Sequence, residues 1–243
     1  MRFQIILGLS LIALSALFYF GHYLVFNDPH HIFIYLVGDI AFVPIEVLLV
    51  TMILHKLLED REKKSKLKKL NMVIETFFSE MGTNTMKWFS GTDSNLENIR
   101  NDLMIKNSWS SNDFRKAEKQ LKRYDFNADI RKIELNDLHL YLVGKRDFVM
   151  RLLQNPVMLE HETFTDLLRA ILHLTEELSS RDGFENITDT DYKHLSGDIQ
   201  RAYGRLVNQW MNYMEYLKQE YPYLFSLAIR TNPFDENAKA AVE

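Results

Sequence analysis

Cysteine is absent from all 243 residues. Disulfides, thiolate metal sites and a cysteine nucleophile are therefore excluded. The compartment stays open, because a reducing cytosol and a disulfide-free exterior both tolerate such a chain. Proline (5) and glycine (9) are scarce, and no phosphate-binding loop, dinucleotide-binding glycine set, nucleophile elbow or HExxH helix can be traced. A net charge of −4 gives no basic face of the kind that general nucleic-acid binding requires. No segment alternates convincingly enough to be a strand.

The most informative scarcity is local. Charge is nearly absent before residue 55 and dense after it, so the overall mean hydropathy of −0.21 averages over segments suited to two different solvents. Phe3 to Phe26 is apolar apart from Gln4, small residues and His22. At about 1.5 Å per residue it spans ~36 Å, more than the ~30 Å of a hydrocarbon core. It is longer than the apolar region of a cleaved signal, and Tyr23-Leu24-Val25-Phe26 lacks the small residues of a cleavage site. Asn27-Asp28-Pro29-His30-His31 supplies a turn, and Ile32 to Leu54 is a second span. The expectation is a transmembrane hairpin over 1–55, with helices at about 3–26 and 32–54.

Lysine and arginine are missing from the turn, whereas Lys56, Arg61, Lys63, Lys64, Lys66, Lys68 and Lys69 follow the second span. The positive-inside rule then places both termini in the cytoplasm and the chain in the plasma (inner) membrane, and Arg2 agrees. The same cluster suits anionic lipid headgroups at about 1 kcal/mol per basic residue, diluted by Glu59, Asp60 and Glu62.

Asp39 and Glu46 interrupt the second span. Each costs about 2.5–3.5 kcal/mol at the centre of a bilayer, and a spacing of two helical turns points both the same way. Pro44 between them leaves the carbonyl of Ile40 without its helical donor and predicts a kink or a freed acceptor. Gly38 offers close backbone approach. Gly8, Ser15 and His22 share a face of the first span, which makes a His22–Asp39 contact the expectation. Two readings follow: an ion or proton path, or a metal site completed by His30 and His31 at the outer mouth; or a hydrogen-bonded polar seam that fixes hairpin register or holds several hairpins together. The second is preferred, because buried polar residues join membrane helices.

Lys56 to Met81 continues as a juxtamembrane helix, with Leu70, Val73, Ile74, Phe77, Phe78 and Met81 on one face and Gly82 ending it. Five stretches, Gly38-Asp39-Ile40-Ala41-Phe42, Pro44-Ile45-Glu46-Val47-Leu48, Leu70-Asn71-Met72-Val73-Ile74, Phe77-Phe78-Ser79-Glu80 and Tyr221-Pro222-Tyr223-Leu224-Phe225-Ser226, resemble an uncharacterised family of prokaryotic two-pass membrane proteins. The resemblance implies this architecture and brings no activity, cofactor or catalytic residue with it.

From residue 83 the sequence reads as an all-α bundle of four or five helices. Thr83 to Ser94 is expected as a loop. Helices are expected over Asn95–Ile105, Asn112–Tyr124, Ile130–Gln154, Thr163–Ser180 and from a cap at Asp189 or Thr190 to Glu220, with Pro222 opening a short last one. None of the eight histidines has a glutamate three residues before it, as a di-iron bundle requires, and Asp191-x-x-His194 is read as helix capping. His173 and Glu177, four apart, suit either a metal or a surface ion pair, and the ion pair is preferred. His161-Glu162 resembles a phosphoacceptor helix but lacks a kinase's ATP boxes. Tyr213, Tyr216, Tyr221, Tyr223 and Phe225 are read as packing, and Asn232-Pro233-Phe234 matches a short motif read by certain eukaryotic adaptor domains and equally well a turn after the last helix.

The sequence therefore points to a non-enzymatic, membrane-anchored helical adaptor or scaffold without cofactors. Its expected partners are the bilayer, anionic headgroups, further copies of itself and a protein, with no nucleic acid. An oligomeric conduit using the intramembrane carboxylates and a metalloenzyme in the bundle are the alternatives.

Overall fold

The computed structural model describes residues 2–159 and 161–241, with the side chains of Arg2, Phe3 and Leu159 outside the description. Arg2's part in the charge asymmetry thus lies outside the described residues. The chain forms two compact units, Met1–Lys64 and Ser65–Glu243. Among the described residues it is helical throughout, and an isolated bridge between Asp93 and Ala128 replaces any strand.

The first unit holds α1 (Arg2–Phe26) and the start of α2 (Pro29–Phe77). The turn is shorter than the sequence suggests. Asn27 takes the left-handed conformation (φ 53°) that commonly closes a helix. Asp28 Oδ1 accepts from the backbone N–H groups of His30 and His31 at 3.0 and 3.2 Å, an N-cap with Pro29 at the first helical position. His30 and His31 therefore belong to the first turn of α2, not to a loop. α2 runs on through Pro44 without a break. A Cβ built on Gly38 meets nothing within 4 Å, so the expected close backbone approach is not made there. No described residue before Leu70 is buried. Ile12, Phe18, Val25 and Phe33 are two-thirds or more exposed (69%, 69%, 74% and 67%). Both N-terminal helices are long and apolar enough to cross a membrane.

The second unit is a bundle built on α9 (Asp189–Glu220), which buries Leu195, Ile199, Ala202, Tyr203, Leu206, Val207, Trp210, Met214 and Leu217 along one stripe. Helix α8 (Glu162–Ser179) lies along it, α6 (Leu135–Leu153) packs on α8, and α3 (Thr83–Ser90), α5 (Ser111–Leu121) and α10 (Pro222–Arg230) pack on α9. Short helices α4 (Arg100–Leu103) and α7 (Pro156–Leu159) complete the set. Sharp local signals govern the ends. Ser110 and Asp113 form a reciprocal capping box on α5, and Thr188, rather than Asp189 or Thr190, caps α9 through the N–H of Asp191.

Gly82 does not end a helix. The chain passes from α2 through a π-helical turn, Phe78–Gly82, directly into α3, and Gly82 keeps right-handed helical angles (φ −60°, ψ −45°). The expected loop over 83–94 is therefore two-thirds helix, with Met86 and Phe89 fully buried. Glycine is needed for space, because a Cβ at 82 would stand 2.7 Å from both Phe77 Cε1 and Phe78 Cδ1, rings that are 0% and 2% exposed. Alanine in an ordinary helix interior gains about 1 kcal/mol over glycine. At position 82 the clash should dominate. Gly82→Ala is expected to destabilise the protein by about 1–3 kcal/mol in urea unfolding, and a stabilised variant would show that the two rings yield.

Candidate functional site

Two groups of polar side chains stand out, one in each unit. In the first, Ser15, Tyr19 and His22 from α1 and Tyr35 and Asp39 from α2 line a groove of about 550 Å³. Tyr19 donates its hydroxyl to Asp39 Oδ2 at 3.3 Å. His22 shares the groove with Asp39 but stacks on Phe26 at 4.6 Å, and its buried Nδ1 has no hydrogen-bond partner. The donor to Asp39 is thus the tyrosine one turn before the histidine that the spacing suggested. Glu46 is exposed and does not line the groove. His31 packs edge-on against Tyr35 at 4.8 Å. Lys56, Arg61, Lys63, Lys64, Lys66, Lys68 and Lys69 all lie exposed on α2.

In the second unit the antiparallel pair α8–α9 carries a ladder of charges near the α8–α9 loop. His173 and Glu177 on α8, and His194 and Asp198 on α9, each stand four residues apart and so share a helix face. His173 Nε2 lies 3.9 Å from Glu177 Oε1 and 3.6 Å from Asp198 Oδ1. His194 Nε2 lies 3.3 Å from Glu177 Oε2 and 3.5 Å from Asp198 Oδ2. Asp198 is the anchor of the group, with its side chain only 2% exposed. Arg201 holds Oδ1 of Asp198 at 2.7 Å, while Oδ2 is buried without a hydrogen bond.

Beside this group Arg181 grips Asp191 through two nitrogens, at 2.9 and 2.5 Å, and reaches Glu177 Oε2 at 3.2 Å and the Glu177 carbonyl. The Arg181 hydrogen bonds hold the Asp191 carboxyl below its ordinary range. For Glu177 burial works upward, but the Arg181 hydrogen bond and the charges of His194, Arg181 and His173 outweigh it and bring the value down.

Sequence spacing identified His173 and Glu177 but not their partners. Asp198 was visible as a carboxylate inside the apolar stripe of α9, one turn from Leu195 and Ala202. Asp191, expected as a capping or dipole partner, does lie in the first turn of α9 and is also held by Arg181, while nothing in the sequence assigns His194 a role of its own. Two other motifs resolve as structure. His161 Nδ1 accepts from the N–H of Phe164 and caps α8, and burial lowers its pKa. Asn232 donates to the Leu103 carbonyl at 2.9 Å and Phe234 packs on Trp210, so this segment is built into the core. Tyr213 stacks on Phe78 and Phe225 is buried, which makes them packing residues; Tyr223 is largely exposed.

These features describe an all-helical protein with two N-terminal helices long and apolar enough to cross a membrane, followed by a helical domain. Family models described as "MJ1433, N-terminal helical domain" and "Uncharacterized protein MJ1433, C-terminal helical domain" match residues 1–58 and 66–230. The chain belongs to the MJ1433 family. It is 44% identical over 237 residues to "Uncharacterized protein MJ1433" of Methanocaldococcus jannaschii, covering 98% of this chain and 95% of that protein. No solved structure matches it.

The Arg181 contacts set a pH dependence. Because Asp191 and Glu177 have depressed values in the fold, their contribution is fully present above the unfolded carboxylate range, about pH 4. It is lost as pH falls through the folded values. Arg181→Met should therefore lower stability at pH 7 by about 1 kcal/mol or less, discounted for solvent screening. The gap to the parent protein should close toward pH 3 in denaturant titrations. A gap independent of pH would mean that only the packing of the arginine stem matters.

Proposed function

We propose that this protein is a non-enzymatic, membrane-anchored helical adaptor, held in the plasma membrane by its N-terminal hairpin. The observation that carries this reading is the contrast in exposure. α1 and the first half of α2 present isoleucine, leucine, valine and phenylalanine outward on every side, while most residues of the same types in the second unit are core. A helix apolar all round requires an apolar solvent, and exposed apolar area of this extent is not sustained in water.

The basic cluster on α2 supports a cytoplasmic side for the second unit under the positive-inside rule and attraction to anionic headgroups. Asp39 in a half-open groove and Glu46 outside it are costly against lipid, which supports self-association of hairpins with both carboxylates turned toward a neighbouring copy. On the domain, Tyr223 and Leu227 stand one turn apart on α10, 70% and 44% exposed, an apolar pair suited to a protein partner.

The cysteine-free chain makes the test direct. A membrane-impermeant maleimide should label His30→Cys on intact cells and label Ser111→Cys only after permeabilisation. Detergent-extracted protein should have the mass of several copies, reduced in an Asp39→Asn/Glu46→Gln variant. Release of the protein by alkaline carbonate, or the reverse labelling pattern, would overturn the membrane reading. A monomeric parent protein would remove the self-association.

A further inference from the structure

We propose that His173, Glu177, His194 and Asp198 form a zinc-class divalent cation site that clamps α8 to α9. The four nitrogen–oxygen separations, 3.3, 3.5, 3.6 and 3.9 Å, exceed the 2.7–3.2 Å usual for N–H···O hydrogen bonds. They use both oxygens of each carboxylate. His173, Glu177 and Asp198 each offer a donor atom within 4.8 Å of the others, and His194 faces the second oxygen of both carboxylates. The four residues thus surround one small polar space of the size a four-coordinate ion needs. The imidazoles and carboxylates converge without satisfying one another.

The second observation is independent of that spacing. Asp198 is 98% buried by its 2% exposure, and its Oδ2 has no hydrogen bond. A buried carboxylate oxygen in that condition costs several kcal/mol unless a cation meets it. Arg201 is bound to the other oxygen, and Arg181 takes Oε2 of Glu177. These contacts turn Oδ2 of Asp198 toward His194 and Oε1 of Glu177 toward His173. Outer-shell partners orient carboxylate ligands in this way.

The donor set selects the ion. Two imidazole nitrogens and two carboxylate oxygens suit zinc and its neighbours better than magnesium or calcium, which prefer all-oxygen shells. Four protein ligands fill a tetrahedral sphere, which is the arrangement of a structural rather than a catalytic zinc. Each helix supplies one His-x-x-x-carboxylate pair, so the ion would join the two helices next to their connecting loop.

The test uses tag-free, full-length protein in detergent, stripped with chelator and titrated with zinc chloride. The expected result is one equivalent bound, with a rise in Tm that chelator reverses. Cobalt(II) in its place should give the intense visible absorption of a tetrahedral ion. Asp198→Asn and His194→Gln should each weaken zinc binding at least tenfold and abolish the Tm rise. His30→Gln/His31→Gln, which removes the paired exposed imidazoles of the hairpin, should change neither. If Asp198→Asn fails to fold, His194→Gln, altered at a half-exposed side chain, decides the matter alone. Zinc binding retained by His194→Gln, or a Tm of the parent protein that zinc does not move, would overturn the site.

Discussion

An apolar side chain must leave water, and α2 meets that requirement in two ways along one continuous helix. From Phe33 to Leu58 its apolar residues face outward in every direction, and from Leu70 onward they enter a protein core with Ile74 and Phe77. Between these stretches lies the run of lysines and acids, which tolerates only water or headgroups. On the proposed membrane reading, the rest of the architecture follows from that change of solvent. The described residues of the hairpin form no core of their own. The domain gathers its core from α3, α5, α6, α8, α9 and α10 around a single amphipathic stripe.

Much of this was legible from periodicity. α8, α9 and α10 lie close to where the 3.6-residue spacing puts them, because long stripes and a proline at the start of α10 leave few alternatives. The misreadings have local physical causes. Gly82 looked like a helix stop because glycine usually ends helices, but here two phenylalanine rings exclude any Cβ and the chain continues through a π turn. The helix expected to begin at Ile130 starts at Leu135, preceded by a 3-10 turn at Ile130–Lys132 in which Asp129 accepts from Arg131. Such capping competes with helix over a few residues and leaves the hydrophobic pattern unchanged.

The polar sites were half legible for a different reason. Spacing within a helix reveals which residues share a face, and so His173 with Glu177 could be read. Which faces meet is a tertiary fact. Asp198 and His194 arrive from another helix, and the choice of Tyr19 over His22 as donor to Asp39 depends on the stagger of two helices, which a one-turn difference in spacing does not encode. The bundle compensates the buried Asp198 with Arg201 and two half-exposed imidazoles, and that compensation is incomplete at Oδ2. The zinc proposal rests on this imbalance and does not depend on what the hairpin does.

The account stands on the claim that the two units answer to different solvents and that the domain's core is complete without the hairpin. Residues 65–243 expressed alone, without detergent, put that claim to the most direct test. The account predicts a soluble, helical protein with a single cooperative unfolding transition by circular dichroism. A fragment that aggregates or unfolds without the hairpin would show that the apolar helices belong to the core, contradicting the two-solvent account.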